Sequence, residues 1–99
     1  MKYFLIFLFS ISVNALEITP GSSSASVYFI TPLDGESFSD NVTVRFGLEN
    51  FGVAPAGIQI NQTGHHHLII DADLPPLDQP IPANNNYVHF GKGQTEVEI

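Results

Sequence analysis

Asn41-Val42-Thr43-Val44-Arg45-Phe46-Gly47-Leu48 decides the fold class. Val42, Val44, Phe46 and Leu48 alternate with Asn41, Thr43, Arg45 and Gly47, the period of two that places successive side chains on opposite faces of a strand. One face is predicted to be core and the other wet. Upstream, Ser26 to Thr31 is rich in β-branched and aromatic residues and is closed by the turn chemistry of Pro32-Leu33-Asp34-Gly35. Downstream, Phe51 to Gly64 reads as a connection with one short edge strand at Gly57 to Ile60. Further strands are predicted at His66 to Ile70, Tyr87 to Phe90 and Thr95 to Ile99. Between the first two of these, Pro75, Pro76, Pro80 and Pro82 rule out helix and central strand and leave an extended loop. Leu74, Leu77 and Ile81 are expected to pack that loop onto the body. No segment has sustained helical periodicity and no repeat is visible, so the expected fold is all-β, a small immunoglobulin-like β-sandwich over residues 26–99.

Residues 1–15 are predicted to be a signal peptide that stands outside this fold. Lys2 supplies a positive start, Tyr3 to Val13 is an apolar run interrupted by Ser10 and Ser12, and Val13-Asn14-Ala15 has the small-x-small form that signal peptidase cuts. The run is shorter than the roughly 20 residues that span a bilayer, so no membrane insertion is expected. Residues 16–25, with Pro20-Gly21 and a run of serines, read as a flexible lead-in. The expected location is periplasmic or secreted, and the chain has no Cys to form a disulfide or carry a lipid there. The strand count falls short of the usual seven, and Glu96-Val97-Glu98-Ile99 stops in mid-alternation. The sandwich is therefore expected to be truncated at its C-terminal end.

Charge narrows the function. Without Lys2, only Arg45 and Lys92 stand against ten carboxylates. Such a chain repels phosphate backbones and anionic headgroups, which excludes nucleic-acid partners and weakly favours cations.

The richest chemistry lies in Gly64-His65-His66-His67-Leu68-Ile69-Ile70-Asp71, which holds three of the four histidines. Strand alternation projects His65 and His67 from one face and sends His66, Leu68 and Ile70 to the other. If the Tyr87 to Phe90 strand lies beside this one with Val88 and Phe90 inward, His89 joins His65 and His67 on the outside. Three imidazoles suffice for a divalent ion, Cu(II) or Zn(II), and the order of first-row affinities puts Cu(II) first unless tetrahedral geometry is enforced. An exposed strand site would enforce little, and binding should weaken as pH falls through about 6.5. A tight Gly91-Lys92-Gly93-Gln94 turn would keep Thr95, Val97 and Ile99 inward and aim Glu96 and Glu98 outward, where either carboxylate could add an oxygen ligand. Asp71 lies roughly 13 Å along the strand from His67, too far for the same ion.

Other readings compete. The histidines could be plain structural or surface residues, or three adjacent imidazoles could act as a pH switch by opposing each other's protonation. Asn41-Val42-Thr43 and Asn61-Gln62-Thr63 fit the glycosylation sequon, incidental in a bacterial exported protein. Tyr28, Tyr87 and Phe51 are candidates for an aromatic sugar platform, though core or edge packing is their commoner use. Catalysis is not expected: there is no Cys nucleophile, Gly-x-Ser-x-Gly elbow, phosphate-cradling Gly loop or cofactor fingerprint. Asp71 and Asp73 sit before prolines, where a turn role fits better. The leading expectation is an exported module binding a divalent transition metal through His65, His67 and His89. The alternative is a non-catalytic envelope interaction or adhesion module with structural histidines and a periplasmic partner.

Several blocks together resemble the exported bacterial family known as domain-of-unknown-function family 4399. They are Val27-Tyr28-Phe29-Ile30-Thr31-Pro32 with Asp34-Gly35, Val42 to Leu48, Gly52-Val53-Ala54-Pro55-Ala56-Gly57, Thr63 to Asp71, Leu74-Pro75-Pro76-Leu77 and His89-Phe90-Gly91-Lys92-Gly93-Gln94-Thr95-Glu96. The resemblance implies a compartment but no activity. It also implies further strands, and a second loop with His and Pro, beyond the position of Ile99. Members often carry His where this chain has Tyr87, so the second His-x-His pair is here reduced to Tyr87-x-His89.

Overall fold

The computed structural model describes residues 3–9 and 23–99. Seven strands are formed among them: β1 (Tyr3–Phe9), β2 (Ser26–Thr31), β3 (Thr43–Glu49), β4 (Gly52–Val53), β5 (Thr63–Ile70), β6 (Tyr87–His89) and β7 (Glu96–Glu98). No helix occurs among the described residues, and none is therefore long and apolar enough to cross a membrane. Two sheets pack face to face in a sandwich-like arrangement.

The alternation of Val42 to Leu48 places β3 at the centre of one sheet, in the order β2-β3-β7. Val44 and Phe46 turn inward and are buried, while Arg45 points out and faces Glu96 across the β3–β7 register, 3.6 Å from it. In the other sheet, β5 is the hub. β1 runs antiparallel along one edge of β5; the other edge is shared end to end by β4, parallel at Thr63 and Gly64, and β6, antiparallel at His67 to Ile69. Val44 and Phe46 from β3 meet Leu68 from β5 and Phe90 from the end of β6 to form the core. The Phe46 and Phe90 rings touch edge to face at 5.0 Å between centroids, a favourable aromatic geometry. Val42, Val97 and Ile99 complete the apolar layer from the β3–β7 side.

Three expectations need correction. The short strand expected at Gly57 to Ile60 is absent; Gly52–Val53 pairs instead, and Ile58 and Ile60 are exposed. Glu96 and Glu98 do not share a sheet with His89. The Gly91 to Gln94 turn, with Gly93 in the left-handed region at φ 82° and its amide bonded to the Phe90 carbonyl, passes the chain to the opposite sheet instead of folding it back as a hairpin. Val97 still packs on the core, now from the other side. Leu74 and Leu77 remain exposed and Pro75 is the buried residue of the proline loop. The loop is fastened by the Tyr87 hydroxyl, which donates to the Asp73 carbonyl at 2.6 Å. Asp71, left-handed at φ 51°, ends β5 and turns the chain into the loop, the local role its position before prolines suggested.

Part of the expected leader is among the described residues. In the uncut chain, Tyr3–Phe9 is a strand with seven register pairs along β5, from Tyr3 opposite Ile70 to Phe9 opposite Gly64. An uncharged apolar run meets an edge that offers unpaired backbone groups and an apolar flank, and pairing satisfies both. The proposed cleavage motif Val13-Asn14-Ala15 and most of the lead-in at 16–25 lie outside the described residues.

If the core sits where β3 and β5 face each other, Phe46→Ala should cost about 3–5 kcal/mol in denaturant unfolding. Arg45→Ala, which removes only a solvent-exposed ion pair, should cost under about 1 kcal/mol. Equal costs would place the core elsewhere.

Candidate metal centre

A single register pair assembles the centre. β5 and β6 run antiparallel with His67 directly opposite His89, so both project from one face, and His65, two residues along β5, shares it. His66 points the other way, into the core against Phe46, with ring centroids 4.7 Å apart. The split expected from alternation is thus present, and all three predicted ligands meet. Ring centroids are 4.9 Å apart for His65 and His67, 4.8 Å for His65 and His89, and 4.7 Å for His67 and His89. One ligating nitrogen from each lies within 4.8 Å of the other two. A tetrahedral ion with bonds of about 2.05 Å needs donor separations of about 3.3 Å, a closure that small side-chain rotations can supply. This histidine group could hold a metal ion.

The centre is far less exposed than a strand edge. His65 and His67 are only 2% and 4% accessible, and β5 is buried on both faces. His89 alone of the three is exposed. The sequence could not show this covering, because it comes from distant segments: Ile6 of β1 lies beside His67, and Ala54, buried and bonded through its amide to the Gly64 carbonyl, flanks the start of β5.

Among the described residues, Nδ1 of His65 and both ring nitrogens of His67 are buried with no hydrogen-bond partner. A buried polar atom left unpaired costs about 1–3 kcal/mol, so native folds rarely keep several together. Burial also disfavours the charged imidazolium. It pushes His65 down to about 4, with His89 adding repulsion, and His66 to about 4, with His65 adding to it. His67 falls furthest, to about 3, through burial first and then His65, His89 and His66. Protons therefore compete with an ion for His65 and His67 well below the 6.5 expected from free imidazole.

Gly91 lies against a candidate ligand, a placement the sequence reading missed. The His89 ring folds across it so closely that a Cβ there would lie 2.6 Å from His89 Cε1. Its only signal was a glycine two residues after a candidate ligand. Neither Asp71 nor the carboxylates of β7 join the three histidines. Tyr28 and Tyr87 stand on different sheets, Tyr28 over Gly47 and Tyr87 tied to Asp73, so they form no common platform.

A family model described as "Domain of unknown function (DUF4399)" matches residues 44–99, more than half of the chain. Searches among curated proteins and among solved structures find no match.

The buried imidazoles give a pH dependence for the ion-free chain with Tyr3–Phe9 in place. Between 6.5, the unfolded value, and about 3, the unfolded chain binds more protons than the folded one, so stability is lost as pH falls through that window. Thermal melts should give a Tm that is level above about pH 7 and drops steadily from 6.5 toward 4. A Tm unchanged over that range would mean that the imidazoles are not held neutral by burial.

Proposed function

The chain belongs to the DUF4399 family of domains of unknown function, and within it we propose that this member is an exported module that binds a divalent transition metal through His65, His67 and His89. The observation that carries the reading is the convergence of three imidazoles on one face of β5 and β6, with nitrogens on His65 and His67 that, in the chain with its leader, are buried and lack other partners. An ion would take up those lone pairs and offset the cost of leaving them unpaired. Three neutral nitrogens and no carboxylate make a borderline-soft set that suits Cu(II) and Zn(II) and disfavours Mg(II) and Ca(II), which require oxygen. Cu(II) ranks above Zn(II) on intrinsic affinity.

Export is supported by the apolar leader and its Val13-Asn14-Ala15 cleavage pattern. On this reading the protein holds an ion and has no catalytic apparatus of its own. A sandwich of immunoglobulin type is the proposed architecture of the domain, on the packing of two all-β sheets and the crossing of the chain between them after β6.

Isothermal calorimetry with Cu(II) and with Zn(II) tests the reading. One ion should bind per chain, with Cu(II) tighter. His67→Ala should lower affinity by about a hundredfold or more, and Gly91→Ala, which pushes the His89 ring aside, by about tenfold. His66→Ala should change affinity little, because that ring faces the core. Equal losses from His66→Ala and His67→Ala, or no uptake by the parent chain, would leave the histidines as structural residues of an interaction module. Mass spectrometry of the exported protein checks the leader: the chain should begin after Ala15, and an intact Met1 would contradict export by cleavage.

A further inference from the structure

We infer that Ile6 closes one side of the histidine centre, so that the strand bound along the free edge of β5 governs how readily an ion reaches His67; the inference rests on the metal reading above. Ile6 is the direct cross-strand partner of His67. Such partners stand on the same face with Cβ atoms about 4.5–5.5 Å apart. Ile6 is itself buried, at 9% accessibility, so its side chain is enclosed with the imidazole instead of lying on the surface. Its neighbours in β1 do other work: Leu5, opposite Leu68, and Tyr3, opposite Ile70, face the core and pack against it.

His67 is hemmed in from both edges of β5. His89 of β6 is its partner on one side and Ile6 of β1 on the other. The two enclosing strands are not equivalent. Each pairs with β5 among the described strands, but β6 carries His89 and leads into the core residue Phe90, whereas β1 carries no histidine and packs on the core through Tyr3 and Leu5. Fraying of β1 breaks its ladder with β5 and leaves that of β6 untouched. It would remove Ile6 from beside His67 and leave the β5–β6 pairing, and hence the convergence of the three rings, in place. The same segment is the proposed leader. Its departure on export would leave the β5 edge open beside the ligands, so the uncut chain is the closed form of the centre and the exported chain the open one.

The test uses the full chain. Carbethoxylation by diethyl pyrocarbonate, resolved residue by residue with mass spectrometry, reports the accessibility of each neutral imidazole without any ion; stopped-flow mixing with Zn(II) or Cu(II) reports entry of the ion. Ile6→Ala should speed modification of His67 about tenfold and ion entry to a similar degree, while exposed His89 reacts at its parent rate. Ile6→Leu, which conserves volume, should stay close to the parent. A His67 rate within about twofold of the parent in Ile6→Ala would overturn the inference. So would equal acceleration at His65, His66, His67 and His89, which marks general loosening of the fold. Selective acceleration at His67 with no ion uptake by any variant would keep Ile6 as the closing residue and remove the metal reading instead.

Discussion

The pairing of His67 with His89 across β5 and β6 is the constraint on which the rest of this structure turns. Because strand side chains alternate, fixing that one pair fixes every other assignment on the two strands: Leu68 and Val88 must face the core, and His65 must join the ligand face. A slip of one residue would drive His67 into the apolar layer and put Leu68 among the imidazoles. The core side resists such a slip, since Leu68 is fully buried against Val44, Phe46 and Phe90. The packing of an ordinary hydrophobic core thus holds the geometry of a polar cluster on the reverse face of the same strand.

That cluster works against the fold that holds it. Buried imidazole nitrogens on His65 and His67 give up their bonds to water without gaining others among the described residues. Each such loss costs about 1–3 kcal/mol, a large share of the margin by which a small domain is stable. A ligand that supplied the missing bonds, as in the proposed site, would bind the folded form alone and raise stability by mass action.

Much of this was legible in the sequence, for a physical reason: alternation is local. Val42 to Leu48 announced a half-buried strand, and the same period of two sorted His65 and His67 from His66 before any partner strand was known. The face assignment of Val88 carried His89 to the right side. What failed was non-local. The path of the chain after Gly91 depends on which sheet offers an edge, so Glu96 and Glu98 were assigned to the wrong sheet; β3 accepts β7, and Arg45 meets Glu96 there. The covering of the ligand face by Ile6 and the segment around Ala54 comes from residues far away in sequence, so a surface site was expected where a buried one stands. The role of Gly91 required the position of the His89 ring, which no pattern of residue types encodes.

The central claim is that three imidazoles of this chain meet at one ion, and X-ray absorption at the metal edge of the Cu(II)-loaded or Zn(II)-loaded protein tests it most directly. The account predicts a first shell containing three nitrogens at about 2.0 Å, with the outer-shell scattering of rigid imidazole rings, reduced to two in His67→Ala. A shell made mainly of oxygens, or one that His67→Ala leaves unchanged, would contradict it.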